Sequence, residues 1–195
     1  MMSKTYEVEI KIPHSDSESI EAAILARAGT RMNSETQTDI YFDHPCRSFK
    51  DSDEAIRIRS RSSIIDEPPE ESHPLVELTY KGPKIDSTTK TREEYSVGLS
   101  DADTATKILE SLGFKRVATI VKRRVFYRID DVILSLDDVA GVGTFLELEM
   151  IATGDEQMNA KRASLIQLVR DLGLDPADSV TESYLELYLK GTPRT

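Results

Sequence analysis

The sequence contains a single cysteine, Cys46, among 195 residues, which excludes an internal disulfide and leaves no call for an oxidising compartment. Histidine is almost as scarce. His14, His44 and His73 are scattered, and with one cysteine they rule out a Cys/His zinc site. No apolar run approaches the roughly 20 residues that span a membrane. The opening Met-Met-Ser-Lys-Thr-Tyr-Glu turns polar before a signal-peptide core could form. A cytoplasmic location with no membrane partner is the expectation. A basic surface is also lacking: 35 acidic against 25 basic residues give a net charge of −10, which argues against a general nucleic-acid binder. That total is still compatible with a local basic site.

Charge, by contrast, is plentiful. It makes up 31% of the chain, against about 25% in an average domain, and the hydrophobic share is only 38%. The apolar residues recur in short regular runs, so disorder does not explain the balance. The length fits one domain over residues 1–195, large enough to bury about 70% of its unfolded surface.

Alternation of period two predicts eight strands, at about residues 6–12, 36–42, 55–61, 75–81, 89–97, 117–129, 132–139 and 144–150. A helix capped by Asp16 or Ser17 runs to about Ala28 and stops at Gly29. A second, capped by Ser100, covers 101–112 before Gly113, and two more close the chain at about 157–172 and 181–189. The polar, proline-bearing segments 43–54 and 62–74 are expected to be mobile loops. This pattern predicts an α+β domain, an eight-stranded antiparallel closed β-barrel with its helices packed outside.

The polar faces of these strands are mostly charged. Glu7, Glu9 and Lys11 share one face of the first strand, opposite Tyr6, Val8, Ile10 and Ile12. Further along, Arg57 and Arg59 share a face, as do Arg92 and Glu94, Lys122 and Arg124, Ser135 and Asp137, and Glu147 and Glu149; Lys81 follows Glu77 and Thr79. These charges could face bulk water around a dry barrel core. They could instead line the interior, with the helices covering an apolar outside. The second arrangement gives the amphipathic helices a surface to pack on and explains the low apolar fraction. A charged interior is costly unless ligands satisfy it. Carboxylates two apart on a strand suit hard divalent cations, and clustered arginines and lysines suit phosphate oxygens. Together they imply a metal–polyphosphate ligand.

At these residues the chain resembles the CYTH superfamily, the triphosphate tunnel metalloenzymes. Glu7-Val-Glu-Ile-Lys11 resembles its E-x-E-x-K strand, Arg57-Ile-Arg59 its R-x-R, and Thr79-Tyr-Lys81-Gly82 its T-x-K-G. Arg92-Glu-Glu94 resembles the R-x-E element and Lys122-Arg-Arg124 the K-x-R strand; Leu136-Asp-Asp-Val139 with Gly143-Thr-Phe-Leu-Glu-Leu-Glu149 resembles the acidic block that follows. Gln37-Thr-Asp-Ile-Tyr-Phe42 and the closing Ser183-Tyr-Leu-Glu-Leu187 are similar to the class IV adenylate cyclase-like branch.

The resemblance implies a tunnel enzyme with two Mg²⁺ or Mn²⁺ ions held by Glu7, Glu9, Asp137, Glu147 and Glu149. Lys11, Arg57, Arg59, Lys81, Arg92, Lys122 and Arg124 would hold the triphosphate, with Lys11, Lys81 and Glu94 in catalytic roles. Some family triphosphatases pair a second-strand tyrosine with a lysine; here that strand carries both Asp39 and Tyr41 on one face. The implied reaction is conversion of ATP to cyclic AMP and pyrophosphate, with a thiamine, nucleoside or inorganic triphosphatase as the alternative. A noncatalytic polyphosphate or nucleotide binder is a third reading, and a homodimer is left open. Phe145 and Tyr184 are expected to be packing residues rather than base-stacking platforms, and Arg27, Arg31, Arg123 and Arg162 to be solvated.

Overall fold

The computed structural model describes residues 5–63, 75–84 and 92–191. The beginning of the fifth expected strand and most of the 62–74 segment fall outside them. The strands are β1 (Thr5–His14), β2 (Thr30–Asp43), β3 (Ala55–Ser63), β4 (Val76–Lys84), β5 (Arg92–Leu99), β6 (Lys115–Ile129), β7 (Val132–Val139) and β8 (Gly143–Thr153). The helices are α1 (Ser17–Ala26), α2 (Ala102–Ser111), α3 (Asp155–Asp171) and α4 (Tyr184–Gly191), with a 3₁₀ turn at Pro176–Asp178.

All pairings are antiparallel, in the order β1-β8-β7-β6-β2-β3-β4-β5. Among the described residues β1 and β5 share no ladder, so the sheet is a curled half-barrel and the expected closure is corrected. The two edges still approach through side chains, since Glu7 on β1 feels the charges of Lys81 on β4 and Glu94 on β5. Twist and coiling have brought the edges within electrostatic reach without backbone pairing.

The apolar faces point to the convex side, as the charge-lined reading requires. Val8, Ile10 and Ile12 of β1 pack with Leu134, Leu146 and Leu148, beneath Ile20 and Ile24 of α1 and Leu165 and Val169 of α3. Six of these ten residues are essentially solvent-free (Ile24, Leu134, Leu146, Leu148, Leu165 and Val169, each 0% exposed), so this cluster is the main core. A second convex cluster joins Phe42 and Ile58 to Leu109 of α2.

The fourth helix departs from expectation. Tyr184, Leu185, Leu187 and Tyr188 of α4 pack against Tyr41, Ile120, Val139 and Phe145. By strand alternation these four share the face of Asp39, Lys122, Asp137 and Glu147, so α4 stops one end of the concave side. It does so because this end of the charged face turns apolar, which gives the short helix a place to bury its own aromatic and leucine side chains.

Smaller differences have local causes. β2 begins at Thr30, earlier than its alternation suggested, because a register shift between Arg31 and Ser34 breaks the pattern while pairing with β6 continues. The cap of α2 is Asp101 rather than Ser100, its carboxylate accepting from the Thr104 amide. The 43–54 loop is anchored: Asp43 accepts from the amides of His44 and Phe49, and buried Phe49 meets the rings of His44, Tyr80 and Phe114. No helix among the described residues is long and apolar enough to cross a membrane.

Candidate active site

The concave face gathers charge from most of the sheet. At its centre lies a cationic group. Lys11, Arg59 and Lys122 are buried, and Arg57 and Arg124 are nearly so, with side chains 13% and 11% exposed. Two buried aspartates hold this group in place. Asp39 takes a two-pronged contact from Arg59, Nε to Oδ1 and Nη2 to Oδ2 at 2.6 Å each, and Arg57 stands 3.5 Å away. Asp137 takes a similar fork from Arg124, whose Nη2 also reaches Glu147. Lys122 lies 3.5 Å from Asp137, and Lys11 lies 3.8 Å from Glu147 while donating to the Glu182 carbonyl at 2.6 Å.

Burial opposes ionisation of both aspartates, but their cationic neighbours prevail. Arg59, then Arg57 and Lys122, hold the Asp39 carboxyl well below the usual carboxylate range; Arg124 and Lys122 do the same for Asp137. Lys122 is pulled the other way. Burial and the adjacent Arg124 bring its ammonium down to about 7, against the pull of Asp137.

This shift gives a sign-definite test. With the folded pKa near 7 and the unfolded one near ~10.4, the unfolded chain holds more protons between those values. The cost of burying this lysine is therefore complete below pH 7 and fades as pH rises through that window. A polyanion placed beside Lys122 would restore its charge. Calorimetry of tripolyphosphate binding at pH 8, in buffers of different ionisation enthalpy, should show uptake of about one proton. Lys122→Met should abolish that uptake. No uptake in the wild-type protein would place the anion away from Lys122.

The acids divide into two groups. In the β1–β8 ladder Glu9 stands opposite Glu149, Lys11 opposite Glu147, and Glu7 opposite Ile151. Glu7, Glu9 and Glu149 thus crowd together near the β1 edge. Desolvation in this recess, then the charges of Glu149 and Glu9, push Glu7 up to about 8, and Glu149 is raised by burial and by Glu9. The side chains of Glu7 and Glu149 also share a hydrogen bond. Glu7 keeps an opening to solvent, so water and salt trim these effects. Asp137 and Glu147 belong instead with the cations.

Lys81 pairs with Glu94 at 2.5 Å on the half-exposed β4–β5 margin. Arg92 begins β5, but its side chain lies outside the described residues.

Tyr184 does more than the packing expected of it. Its hydroxyl donates to Asp137 Oδ2 at 2.7 Å, and Lys11 Nζ and Lys122 Nζ lie 4.3 Å and 4.9 Å from its ring centre. It packs on Phe145 at 5.1 Å between centroids as well. Burial and the charges of Glu147 and Asp137 raise its pKa, so it stays a neutral hydrogen-bond donor. Asp39 was also missed as a partner of both β3 arginines, although the sequence places it on the same face as Tyr41.

A half-barrel lined by buried cations, with a rim of crowded acids, has the composition of a cradle for a polyanion and its counter-cations. The chain belongs to the CYTH domain family, which matches residues 5–184. A Methanocaldococcus jannaschii protein provisionally named adenylate cyclase MJ0240 is 35% identical over 181 residues, covering 93% of this chain and 97% of that protein. Adenylate cyclase CyaB of Aeromonas hydrophila is 30% identical over 183 residues, covering 93% and 88%. The solved structure of the PH1819 protein from Pyrococcus horikoshii OT3 superposes with a TM-score of 0.82 at 37% identity, covering 95% of this chain and 99% of that one.

The family implies divalent cations, and the acids fit them. The raised proton affinities of Glu7 and Glu149 mark a carboxylate cluster short of positive charge. Their hard oxygen donors suit Mg²⁺ or Mn²⁺. Among the described residues no three acids, histidines or cysteines already form a finished metal cage, so a cation would have to gather them.

Proposed function

We propose that the protein is a divalent-metal-dependent enzyme that binds a triphosphate on its concave face and converts ATP to cyclic AMP and pyrophosphate. One observation carries the phosphate reading. Arg57 Nε–H is buried without a hydrogen-bond partner, in the middle of the cationic group. Leaving such a donor unmet costs about 1–3 kcal/mol, and a phosphate oxygen is the acceptor that its charge and planar geometry favour. Similarity to proteins named adenylate cyclases supports the cyclase reaction.

Arg57, Arg59, Lys122 and Arg124 would grip the phosphate chain, with Lys11 nearest the acids, Lys81 at the β4–β5 margin, and Arg92 as a further triphosphate ligand. Glu94 would orient Lys81. Tyr184 would hold Lys11, Lys122 and Asp137 in register from the α4 end. Glu7, Glu9 and Glu149, with Glu147 and Asp137 beside them, would hold the divalent ions. Bound ions would lower the pKa of the attacking ribose hydroxyl and neutralise charge on the pyrophosphate. A carboxylate of this rim would accept the hydroxyl proton.

Purified protein incubated with ATP, thiamine triphosphate or tripolyphosphate, each with Mg²⁺ or Mn²⁺, tests the proposal. Cyclic AMP and pyrophosphate in equal amounts are expected from ATP. Orthophosphate release would replace the cyclase with a triphosphatase, and binding without turnover would leave a nucleotide-binding protein.

A further inference from the structure

The concave face also contains a polar cluster outside the set of phosphate-gripping residues. Gln37 on β2 stands opposite Arg61 on β3 and opposite Lys122 on β6. It is 2% exposed, its Nε2 donates to Glu35 Oε1, and its Oε1 is buried without any partner. The amide orientation follows from chemistry: turning it over would set the carbonyl oxygen against the Glu35 carboxylate. Around it, Arg61 is flanked by Glu35 at 3.7 Å and Glu77 at 3.5 Å. Thr79 Oγ1 donates to Glu77 at 2.9 Å and lies 3.0 Å from Ser96 Oγ.

This cluster has the opposite need to that of Arg57. Arg57 presents a buried donor without an acceptor; Gln37 presents a buried acceptor without a donor. Two carboxylates accompany that acceptor and outweigh Arg61, so a phosphate is less welcome there than beside Arg57. A group bearing O–H or N–H would be welcomed. On a nucleoside triphosphate such groups are the exocyclic amine and the ribose 2′-hydroxyl, the 3′-hydroxyl being the attacking group, at the end remote from the γ-phosphate. We propose that Gln37, with Glu35 and Glu77, forms an acceptor subsite for the nucleoside end of the substrate, through one O–H or N–H donor. This inference rests on the reading of the cationic group as a triphosphate cradle.

A site built around a buried acceptor discriminates against ligands that lack the matching donor. Calorimetric titration in metal-free buffer can therefore separate the two ends of the substrate. Wild-type protein and Gln37→Met are titrated with ATP, 2′-deoxy-ATP, inosine triphosphate and tripolyphosphate. Gln37→Met should weaken ATP about tenfold, the effect of one hydrogen bond to a neutral acceptor, and leave tripolyphosphate unchanged. Wild-type protein should lose a similar factor with either the 2′-deoxy or the inosine analogue, and the variant should bind that same analogue no more weakly.

Equal weakening of ATP and tripolyphosphate, or unchanged ATP affinity, would overturn the subsite. Should Gln37→Met fail to melt cooperatively, the wild-type arm decides. There, equal affinity for ATP and both analogues overturns the subsite, and a loss with one analogue supports it. Failure of tripolyphosphate to bind the wild-type protein would instead remove the cradle on which the inference stands.

Discussion

Arg59→Ala should lower folding stability by about 3–5 kcal/mol, the usual cost of stranding one partner of a buried ion pair. Asp39 is 3% exposed and its two oxygens are forked by Arg59. Once Arg59 is removed, Asp39 retains Arg57 at 3.5 Å and the more distant charge of Lys122. The carboxyl must then stay ionised in poor company or take up a proton, and either outcome favours unfolding.

Triphosphate binding should weaken as well, by ~1.5–3 kcal/mol for one lost charge-assisted contact. Arg57→Ala separates the two effects. It leaves the Arg59–Asp39 fork intact, so binding should fall with a much smaller loss of stability. Urea unfolding and tripolyphosphate titration of both variants provide the comparison. Asp39→Asn in the Arg59→Ala background should recover stability without recovering binding. If Arg59→Ala loses less than ~1 kcal/mol, the fork does not hold in solution.

Asp39 also fixes the direction of the pH effect. Its folded pKa is depressed, so the stability it supplies is present above its unfolded value near ~3.9 and is lost as pH falls through the lower folded value. Arg59→Ala should weaken that acid-side dependence, leaving the part that Arg57 and Lys122 supply.

These roles show how far the sequence alone could reach. Period-two alternation identified the charged face of nearly every strand, because a residue's face depends only on its own neighbours in the strand. Lys11, Arg57, Arg59, Lys122, Arg124 and Asp137 were all singled out from that pattern, and they meet on the concave side. Features that depend on contacts between distant segments were harder to read. Tyr184 lies on a short helix whose aromatic and leucine residues look like packing, and its contact with Asp137 spans 47 positions.

The 43–54 loop looked mobile because its anchor, Phe49, needs Tyr80 and Phe114, which are remote in sequence. Closure of the barrel depends on whether the two edge strands pair, and nothing within β1 or β5 encodes that. Gln37 lies in a segment that resembles a family motif, but an unpartnered carbonyl oxygen is visible only in three dimensions.

Glu149→Gln should affect activity and stability in opposite directions, and this follows from the register of β1 and β8. Glu9 and Glu149 face each other directly across the ladder, an arrangement in which like charges repel. The raised pKa values of Glu149 and Glu7 express the same strain. For an acid whose folded pKa lies above its unfolded value, stability falls as pH climbs between the two. For Glu7 that window runs from the ordinary glutamate range up to about 8. Removing one charge should therefore raise the melting temperature of the metal-free protein, most visibly at pH 8.

Glu147 should behave differently. It pairs with Arg124 and Lys11, so Glu147→Gln should destabilise. Under the proposed function, turnover in both variants should fall by about 10³, because each would replace an anionic oxygen donor to the ion with a neutral amide. Divalent-cation binding provides a second readout. At pH 7 the wild-type cluster should release a proton as Mg²⁺ or Mn²⁺ displaces the one held by Glu7. Triphosphate binding at Lys122 should have the opposite sign and, at pH 8, take about one up. Proton release unchanged in Glu7→Gln, or a melting temperature lowered by Glu149→Gln, would show that the acids at this rim are not crowded in solution and do not form the cation site.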